Sequence, residues 1–279
     1  MIRSFLILSI ASTLFFSCSN KNNEKTSQQI DTTEVIVPMP TAAPVEDTTG
    51  MMVKGNIKLI PFRGSAEFND ATLELNKPEE NAKLKSGDVQ FSYVLKNYTL
   101  AVPTPDAASK HCNNSPKGQH IHLILNNEPY IAHYETDFTE KLKDGHYVAL
   151  SFLSRSYHES LKQFEAFDLR QFTVGNIPSK KIDLTKPFLF YSRPKGEYTG
   201  EDTKRILLDF YLVNTTLDPK GNKVKATING NEFMIDQWQP FVIEGLPMGE
   251  NTVQLELLDK NGKFVEGPFN KVERKFTLK

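Results

Sequence analysis

The sequence predicts an all-β protein in which two tandem immunoglobulin-like or fibronectin-like β-sandwiches follow a signal peptide and a flexible tether. The composition gives the first indication, because 19 Phe, 9 Tyr, 16 Pro and 15 Gly among 279 residues suit pleated strands joined by frequent turns. The second indication is a series of short alternating stretches about 8–12 residues apart, separated by turn signals such as Lys143-Asp144-Gly145. The third is an internal repeat, which divides the chain into two copies of one module of about seven strands.

The charge balance excludes one large class of function. Lys and Arg number 33 and Asp and Glu number 34, so the formal net charge is -1 at pH 7. A nucleic-acid-binding protein needs a positive field to attract phosphates, and this composition does not supply one. We therefore expect no nucleic-acid partner.

The N-terminus is typical of a lipoprotein signal peptide. Met1-Ile2-Arg3 gives a basic start, Phe5 to Phe16 is an apolar run, and Ser17-Cys18 follows at once. The run is too short to span a bilayer as a mature helix, and its layout is that of a secretory signal. A small residue directly before a cysteine resembles a bacterial lipobox, which predicts removal of residues 1–17 and lipidation of Cys18. The alternative is an ordinary cleaved signal that leaves Cys18 unmodified.

The segment after Cys18 predicts how the protein is held at the membrane. Ser19-Asn20 lacks the Asp that favours retention in the inner membrane. We expect the lipid on Cys18 to bind the periplasmic side of the outer membrane, with cell-surface exposure as the alternative. Residues 18–57 are mostly polar with several prolines, a composition that cannot bury enough apolar surface to order itself. They are predicted to form a flexible tether.

The internal repeat sets the domain organisation. Three stretches recur at one offset of 104 positions, namely Asn127–Tyr134 with Asn231–Trp238, Gly145 with Gly249, and Phe172–Val174 with Phe276–Leu278. Upstream, Val89–Asn97 matches Ile206–Asn214 at an offset of 117 positions, so the next loop is longer in the first copy. We place the domains at 58–176 and 182–279 and interpret Trp238 as a core residue rather than a ligand platform. A fragment starting near Lys180 is expected to fold alone.

Four motifs carry a resemblance to a known group of proteins. They are Gly118–Leu125, which reads GQHIHLIL, together with Ser154–Ser160, Tyr191–Gly196 and Ile243–Pro247. In these motifs the chain resembles uncharacterised envelope lipoproteins of Bacteroidetes-type bacteria with tandem immunoglobulin-like domains and a GQHxHL motif. Some of those relatives are described as phosphopeptide-binding proteins, but this sequence contains no arginine cluster suited to phosphate. The resemblance implies a location and a fold, and no reaction.

Catalytic signatures are missing from the sequence. No Gly-x-Ser-x-Gly elbow, Walker loop, dinucleotide fingerprint or His-Glu-x-x-His helix occurs. His158-Glu159 begins like the last of these, but Lys162 occupies the position of the second histidine. The carboxylate pairs Glu79-Glu80 and Glu201-Asp202 lie in polar stretches and are interpreted as solvated charges. We therefore expect a protein that is not an enzyme.

The histidines are the one group that indicates chemistry. All 6 lie between His111 and His158, and none occurs in the second copy. His120 and His122 alternate along a predicted strand and therefore face one side. A hairpin turn at Asn126-Asn127 would place His133 opposite His120, and a turn one position later would place it opposite His122. Since imidazole suits zinc and copper, the pattern predicts a zinc or copper site with five candidate ligands, His120, His122, His133, His111 and Cys112.

Other interpretations of these residues stay open. At the shared offset His120 and His122 align with Val224 and Ala226, which would make them buried structural residues. Ile121, Leu123 and Leu125 form the more apolar face of the same strand, so a shift of one residue would turn the histidines outward. The turn that contains Arg155, Tyr157 and His158 gives three further binding candidates. There we expect His158 either to pair with Glu159 or to bind a ligand.

These observations favour a non-enzymatic envelope lipoprotein that binds a ligand through the histidine cluster of its first sandwich, with a transition metal as one such ligand. The alternative is a structural or adhesion module that docks another envelope protein and whose histidines are structural. A zinc-dependent hydrolase is the third hypothesis, since three histidines and a water form a known catalytic arrangement.

Overall fold

The computed structural model describes residues 47–178 and 181–279, and within these ranges the chain forms β-strands joined by loops and three short 3-10 turns. This confirms the predicted all-β class. The predicted signal peptide, Cys18 and most of the predicted tether lie outside the described residues. No helix in the described ranges is long and apolar enough to cross a membrane.

The first half of the chain builds one β-sandwich, called here the N-terminal sandwich. Its strands are β3 (Thr72–Lys77), β4 (Lys83–Leu84), β5 (Gly87–Lys96), β6 (His120–Leu125), β7 (Ile131–His133), β8 (Asp137–Leu142), β9 (Gly145–Ser154) and β10 (Phe167–Val174). They form two sheets with the strand orders β4-β10-β9-β6-β7 and β3-β5-β8. A core of aromatic and aliphatic side chains, including Phe91 and Phe172, fills the space between the sheets.

The remaining strands build the C-terminal sandwich. They are β1 (Met52–Lys54), β2 (Ile57–Pro61), β11 (Phe188–Arg193), β12 (Gly196–Tyr198), β13 (Ile206–Val213), β14 (Lys223–Ile228), β15 (Asn231–Ile235), β16 (Phe241–Glu244), β17 (Gly249–Leu258) and β18 (Lys271–Leu278). Their sheets have the strand orders β1-β2-β16-β13-β11 and β12-β18-β17-β14-β15. The 3-10 turns span Ala107–Ser109, Phe164–Ala166 and Gly200–Thr203.

Strands β1 and β2 lie in the C-terminal sandwich, although the sequence predicted that the first domain begins at residue 58. Strand β2 pairs antiparallel with β16, with Pro61 opposite Phe241 and Leu59 opposite Ile243. Ile57 and Leu59 are buried in the core of that sandwich. The N-terminal sandwich is therefore an insertion between two strands of the C-terminal one, a pairing that local sequence patterns do not reveal.

The repeat predicted from the sequence matches the strands. β9 and β17 begin at Gly145 and Gly249, and both span 10 residues. The correspondence of β6 with β14 is shifted by one position from the predicted offset. His120 pairs with Ser154 of β9, whereas Lys223 pairs with Leu258 of β17. Because Ser154 and Leu258 are equivalent, His120 corresponds to Lys223 and not to Val224.

The two sandwiches meet face to face. Each of the facing strands β6, β9, β11 and β13 directs one set of side chains into its own core and the alternate set into the interface. An aromatic and aliphatic cluster fills this interface, and each large side chain that it buries contributes about 1.5–3 kcal/mol of hydrophobic free energy. Its buried members are Ile124, Tyr130, Val148, Leu150, Phe152, Phe188, Phe190, Tyr211, Val213 and Phe269.

Asn127 fastens the β6–β7 connection to the other sandwich. Its backbone is left-handed, with φ of 58°. Its side-chain amide donates to the carbonyls of Leu189 and Phe269 at 3.1 and 3.0 Å, and its oxygen accepts from the Tyr191 N–H at 2.8 Å. The side chain thus forms hydrogen bonds with the Leu189 carbonyl and the Tyr191 N–H on the edge of β11, which would otherwise be left unpaired.

Candidate metal centre

Three histidines of the N-terminal sandwich converge at the interface. β6 directs His120 and His122 away from its own core, and the turn after β9 brings His158 beside them. His120 Nε2 lies 2.8 Å from His122 Nε2 and 3.2 Å from His158 Nδ1. One ring nitrogen from each histidine lies within 4.8 Å of the others, an arrangement that could hold a metal ion. These three residues are called the histidine triad below.

The outer nitrogens of two of these rings contact oxygen atoms. His120 Nδ1 lies 2.8 Å from the Gly118 carbonyl oxygen, and His122 Nδ1 lies 3.3 Å from Ser192 Oγ. A carbonyl oxygen only accepts, so His120 Nδ1 carries the hydrogen and its Nε2 presents a lone pair to the other two rings. Metal-binding histidines are commonly oriented in this way by an oxygen on the far nitrogen.

The triad is closed off from solvent. His120 and His122 are 0% exposed and His158 is 7% exposed. The Tyr130 ring stacks on the His122 ring with centroids 3.6 Å apart, Phe152 also lies beside His122, and Tyr134 lies beside His120.

Burial keeps the triad uncharged. It lowers the pKa of His120 to about 4. Burial also holds the pKa values of His122 and His158 well below the usual range for histidine, with neighbouring histidines and cations adding to the effect. The rings are therefore neutral at pH 7, which is the form that binds metals.

Two cationic side chains of the C-terminal sandwich approach this site through Tyr130. Lys195 Nζ lies 3.8 Å from the centroid of the Tyr130 ring, and burial lowers the pKa of this lysine to about 8. The Arg193 guanidinium lies 5.3 Å from the same centroid. Arg193 is buried, donates to Tyr198 Oη, and forms no ion pair with any carboxylate of the described chain. Its Nε has no hydrogen-bond partner within the ranges described.

His158 occupies a backbone position that disfavours its side chain. Its φ is 68°, in the left-handed region, and its N–H donates to the Arg155 carbonyl at 2.9 Å. The same turn recurs in the C-terminal sandwich, where Gly262 has φ of 77° and donates to the Asp259 carbonyl. A non-glycine residue in this conformation costs about 1 kcal/mol or more, and such strain is concentrated at functional sites.

The sequence prediction did not place His158 in the triad. It gave the turn only a general binding role and considered an ion pair with Glu159. The signal was present, because the repeat offset places His158 on Gly262. A large polar residue where the sister copy has a glycine in a turn indicates a role that compensates for strain.

His133 lies away from the triad, and neither predicted hairpin register is formed. The structure pairs His133 with Ile121, so His133 shares the core-facing side of the sheet. There it stacks on Phe138, with centroids 3.3 Å apart, and its Nε2 lies 3.2 Å from Glu140 Oε1. The prediction assumed a tight two-residue turn, whereas Asn127 is drawn toward β11 and the connection is wider.

His111 and Cys112 also lie apart from the triad. His111 is exposed in a loop. Cys112 is buried against Tyr157, Leu207 and neighbouring residues in a separate cluster between the sandwiches, and burial raises the pKa of its thiol to about 11. The longer loop of the first copy therefore packs on the outer face of β13 and does not bring these candidate ligands to the histidines.

Arg155 and Tyr157 fix the turn that carries His158. Arg155 donates to the Ala66 carbonyl from two nitrogens, at 2.9 and 2.6 Å. It also pairs with Glu159 at 3.2 Å, so the predicted His158–Glu159 pair is replaced by an Arg155–Glu159 pair. Tyr157 Oη donates to Asp106 Oδ2 at 3.2 Å. These two candidates position His158 through the turn.

Comparison with known proteins gives structural neighbours of low similarity. No family model matches the chain, and no curated protein matches it. The fibronectin(III)-like modules of Clostridium thermocellum CbhA are 10% identical, with a TM-score of 0.26 over 75% of this chain and 94% of that one. The Bacteroides ovatus protein SGBP-B in complex with a mixed-linkage heptasaccharide is 8% identical, with a TM-score of 0.22 over 75% of this chain and 47% of that one.

The tandem V-type regions of the chitin-binding protein VCBP3 are 9% identical, with a TM-score of 0.22 over 75% of this chain and 99% of that one. Similarity at this level assigns no function.

Proposed function

We propose that this protein is a non-enzymatic binding protein whose histidine triad holds a transition-metal ion, zinc or copper, between its two sandwiches. The observation that carries the proposal is the convergence of three neutral ring nitrogens, with two of the outer nitrogens already held by oxygen atoms. Imidazole nitrogens bind zinc and copper at about 2.0–2.1 Å.

The spacing of the nitrogens fits such an ion. Nitrogens bound at about 2.0–2.1 Å around one metal lie roughly 3.3–3.5 Å from each other. The separations of 2.8 and 3.2 Å from His120 Nε2 are close to that spacing, and the three nitrogens all lie within 4.8 Å of one another. Direct hydrogen bonding leaves His120 Nε2 with one lone pair that faces two nitrogens, while His158 Nδ1 has the Tyr130 hydroxyl as a partner at 3.3 Å.

The strained turn supports the same proposal independently. Packing alone does not require a histidine at a left-handed position, since the sister turn forms the same hydrogen bonds with Gly262. Binding a metal through His158 Nδ1 would compensate for the cost of that backbone conformation.

Binding without catalysis fits the surroundings of the triad. In the described part of the chain no carboxylate joins the three histidines as a further ligand. A zinc hydrolase needs a group that accepts the proton of its attacking water, together with an open coordination position. A triad that is almost fully buried favours a binding role over the hydrolase hypothesis.

Metal binding to the purified domain spanning residues 47–279 tests the proposal. We expect about one equivalent of zinc or copper by elemental analysis after dialysis, and removal of metal binding in His122→Ala. His133→Ala is the matched control, because His133 lies on the opposite face of the same sheet and should leave binding unchanged. A folded wild-type domain that takes up no metal, or equal losses in the two variants, would contradict the proposal.

The envelope location is a separate proposal that depends on the sequence. We infer that lipidated Cys18 holds the protein at the outer membrane and that the following residues separate the sandwiches from it. Cys18→Ala should release the protein into the soluble fraction, while the metal content of the sandwiches stays unchanged. Wild-type protein that is already soluble and carries no lipid would contradict the lipobox interpretation.

A further inference from the structure

The ligands of the triad leave the charge of a bound ion uncompensated. All three are neutral imidazoles, and within the described chain neither a carboxylate nor a thiolate belongs to the group. A divalent ion would therefore retain both of its charges in a buried site. Burying a charge that has no counterion costs free energy, and this cost rises steeply with the size of the charge.

The surroundings of the triad add positive charge. The Tyr130 ring that stacks on His122 has Lys195 close to its face, and Arg193 is buried beside the same ring without a carboxylate partner in the described chain. The Coulomb repulsion of these cations is twice as large for a doubly charged ion as for a singly charged one.

The aromatic enclosure adds no anionic ligand to the triad. The Tyr130 ring is nearly parallel to the His122 ring, at an interplanar angle of 8° and a centroid separation of 3.6 Å. Its phenol oxygen lies 3.3 Å from His158 Nδ1, and a phenol is un-ionised at neutral pH, so this oxygen is a neutral neighbour of the site. Tyr134 Oη is bound to Ser115 Oγ at 2.7 Å. The donors at the site are therefore neutral.

We propose that the triad selects monovalent copper, held by His120, His122 and His158 among neutral donors, and that Arg193 disfavours divalent ions there. This inference rests on the proposed metal centre and specifies the charge of its ion. Imidazole is a good ligand for copper, and a closed site with three neutral ligands and nearby cations places a penalty on zinc and on oxidised copper.

Competition titrations of the domain spanning residues 47–279 test the selectivity. Under anaerobic conditions a colorimetric chelator for Cu⁺ competes with the protein, and parallel titrations use Zn²⁺ and Cu²⁺ with their own chelators. We expect Cu⁺ to bind more tightly than either divalent ion. Tighter binding of Zn²⁺ or Cu²⁺ would overturn the inference and leave the metal centre standing, whereas failure of all three ions would overturn both.

Charge variants test the part assigned to Arg193. Arg193→Met should improve the affinity for Zn²⁺ relative to Cu⁺ by roughly tenfold, because it removes one neighbouring charge. Arg193→Lys is the matched control, since it keeps the charge and should leave the affinity ratio near that of the wild type. Lys195→Gln, at the outer side of Tyr130, should shift the ratio in the same direction as Arg193→Met. An unchanged ratio in a folded Arg193→Met domain and in Lys195→Gln would refute the role of these cations.

Discussion

The outer faces of β6 and β14 are at equivalent positions in the two sandwiches, but β6 packs against the other sandwich and β14 does not. β14 places Lys223 and Lys225 on its outer face, where Lys225 pairs with Glu256 at 2.7 Å. β6 has His120 and His122 at those positions, and Phe152 stands where the sister sandwich has Glu256. One stripe of side chains therefore determines whether the same module presents this face to solvent or to a partner.

The largest expected effect comes from separating the two halves of the chain. A fragment of residues 181–279 lacks β2, the strand that pairs with β16, and leaves Phe188 and Tyr211 uncovered. We expect this fragment to show no cooperative unfolding in urea, contrary to the prediction from the repeat. A fragment of residues 62–178 contains every strand of the N-terminal sandwich and should unfold cooperatively. The opposite result, a fragment of residues 181–279 that folds and a fragment of residues 62–178 that does not, would contradict this account of the two sandwiches.

Exchanging the side chains of Phe152 and Glu256, which are at equivalent positions, tests this difference between the two faces directly. Phe152→Glu places a carboxylate against Tyr211, on which Phe152 now stacks with centroids 4.7 Å apart. We expect a loss of at least about 4 kcal/mol in the free energy of unfolding, because the charge is buried without a partner. Glu256→Phe removes ion pairs with Lys225 and Lys271, whose ammonium groups are partly exposed and can turn to solvent, so it should cost about 1 kcal/mol or less. Urea unfolding of both variants measures the difference, and similar losses would contradict the contrast between the faces.

Acid should destabilise the metal-free protein through the triad. The folded-state pKa of His120 is about 4, below the value of about 6.5 in an unfolded chain, and burial also depresses those of His122 and His158. The unfolded state therefore binds more protons below pH 6.5, so the stabilising contribution is complete above that pH and is lost as the pH falls toward 4.

Each buried neutral histidine should lower the free energy of unfolding at pH 5.5 by about 1.4 kcal/mol relative to its value at pH 7.5. Urea unfolding at these two pH values measures the loss. His122→Gln should reduce the loss by that amount, and His111→Gln, in an exposed loop, should not. A loss of equal size in His122→Gln and the wild type would show that another group is responsible.

The smallest effect concerns the two equivalent turns. Gly262 has φ of 77°, and a Cβ added there meets no atom within 4 Å, so a substitution tests backbone strain alone. We expect Gly262→Ala to lower the free energy of unfolding by about 1 kcal/mol. Lys263→Ala next to it should have little effect. If Gly262→Ala is neutral, the turn tolerates side chains without cost and His158 is not strained.

The sequence predicted where the strands lie but not which strands pair with each other. Alternation and the repeat located β9 and β17 because side-chain periodicity is local. Which sheet β2 joins depends on pairing with β16, and a local pattern does not specify such a distant partner.

The sequence predicted only part of the site, again because a local pattern does not specify distant contacts. His120 and His122 lie on one strand, so their shared face could be read from the chain. The hairpin register that separates His133 from them follows from the contacts of Asn127 with β11, which only the assembled fold contains. His158 was within reach of sequence reasoning through its match to Gly262.

The position of β2 also determines how tension would pass through the molecule. The first two strands of the described chain, β1 and β2, and the last, β18, all belong to the C-terminal sandwich. A pull applied between these two strands loads the β2–β16 pairing and the core of that sandwich. The N-terminal sandwich, with its histidine triad, lies on a loop of chain outside this path and carries no load until β2 detaches. The inserted sandwich is thus mechanically shielded by the one that surrounds it in sequence.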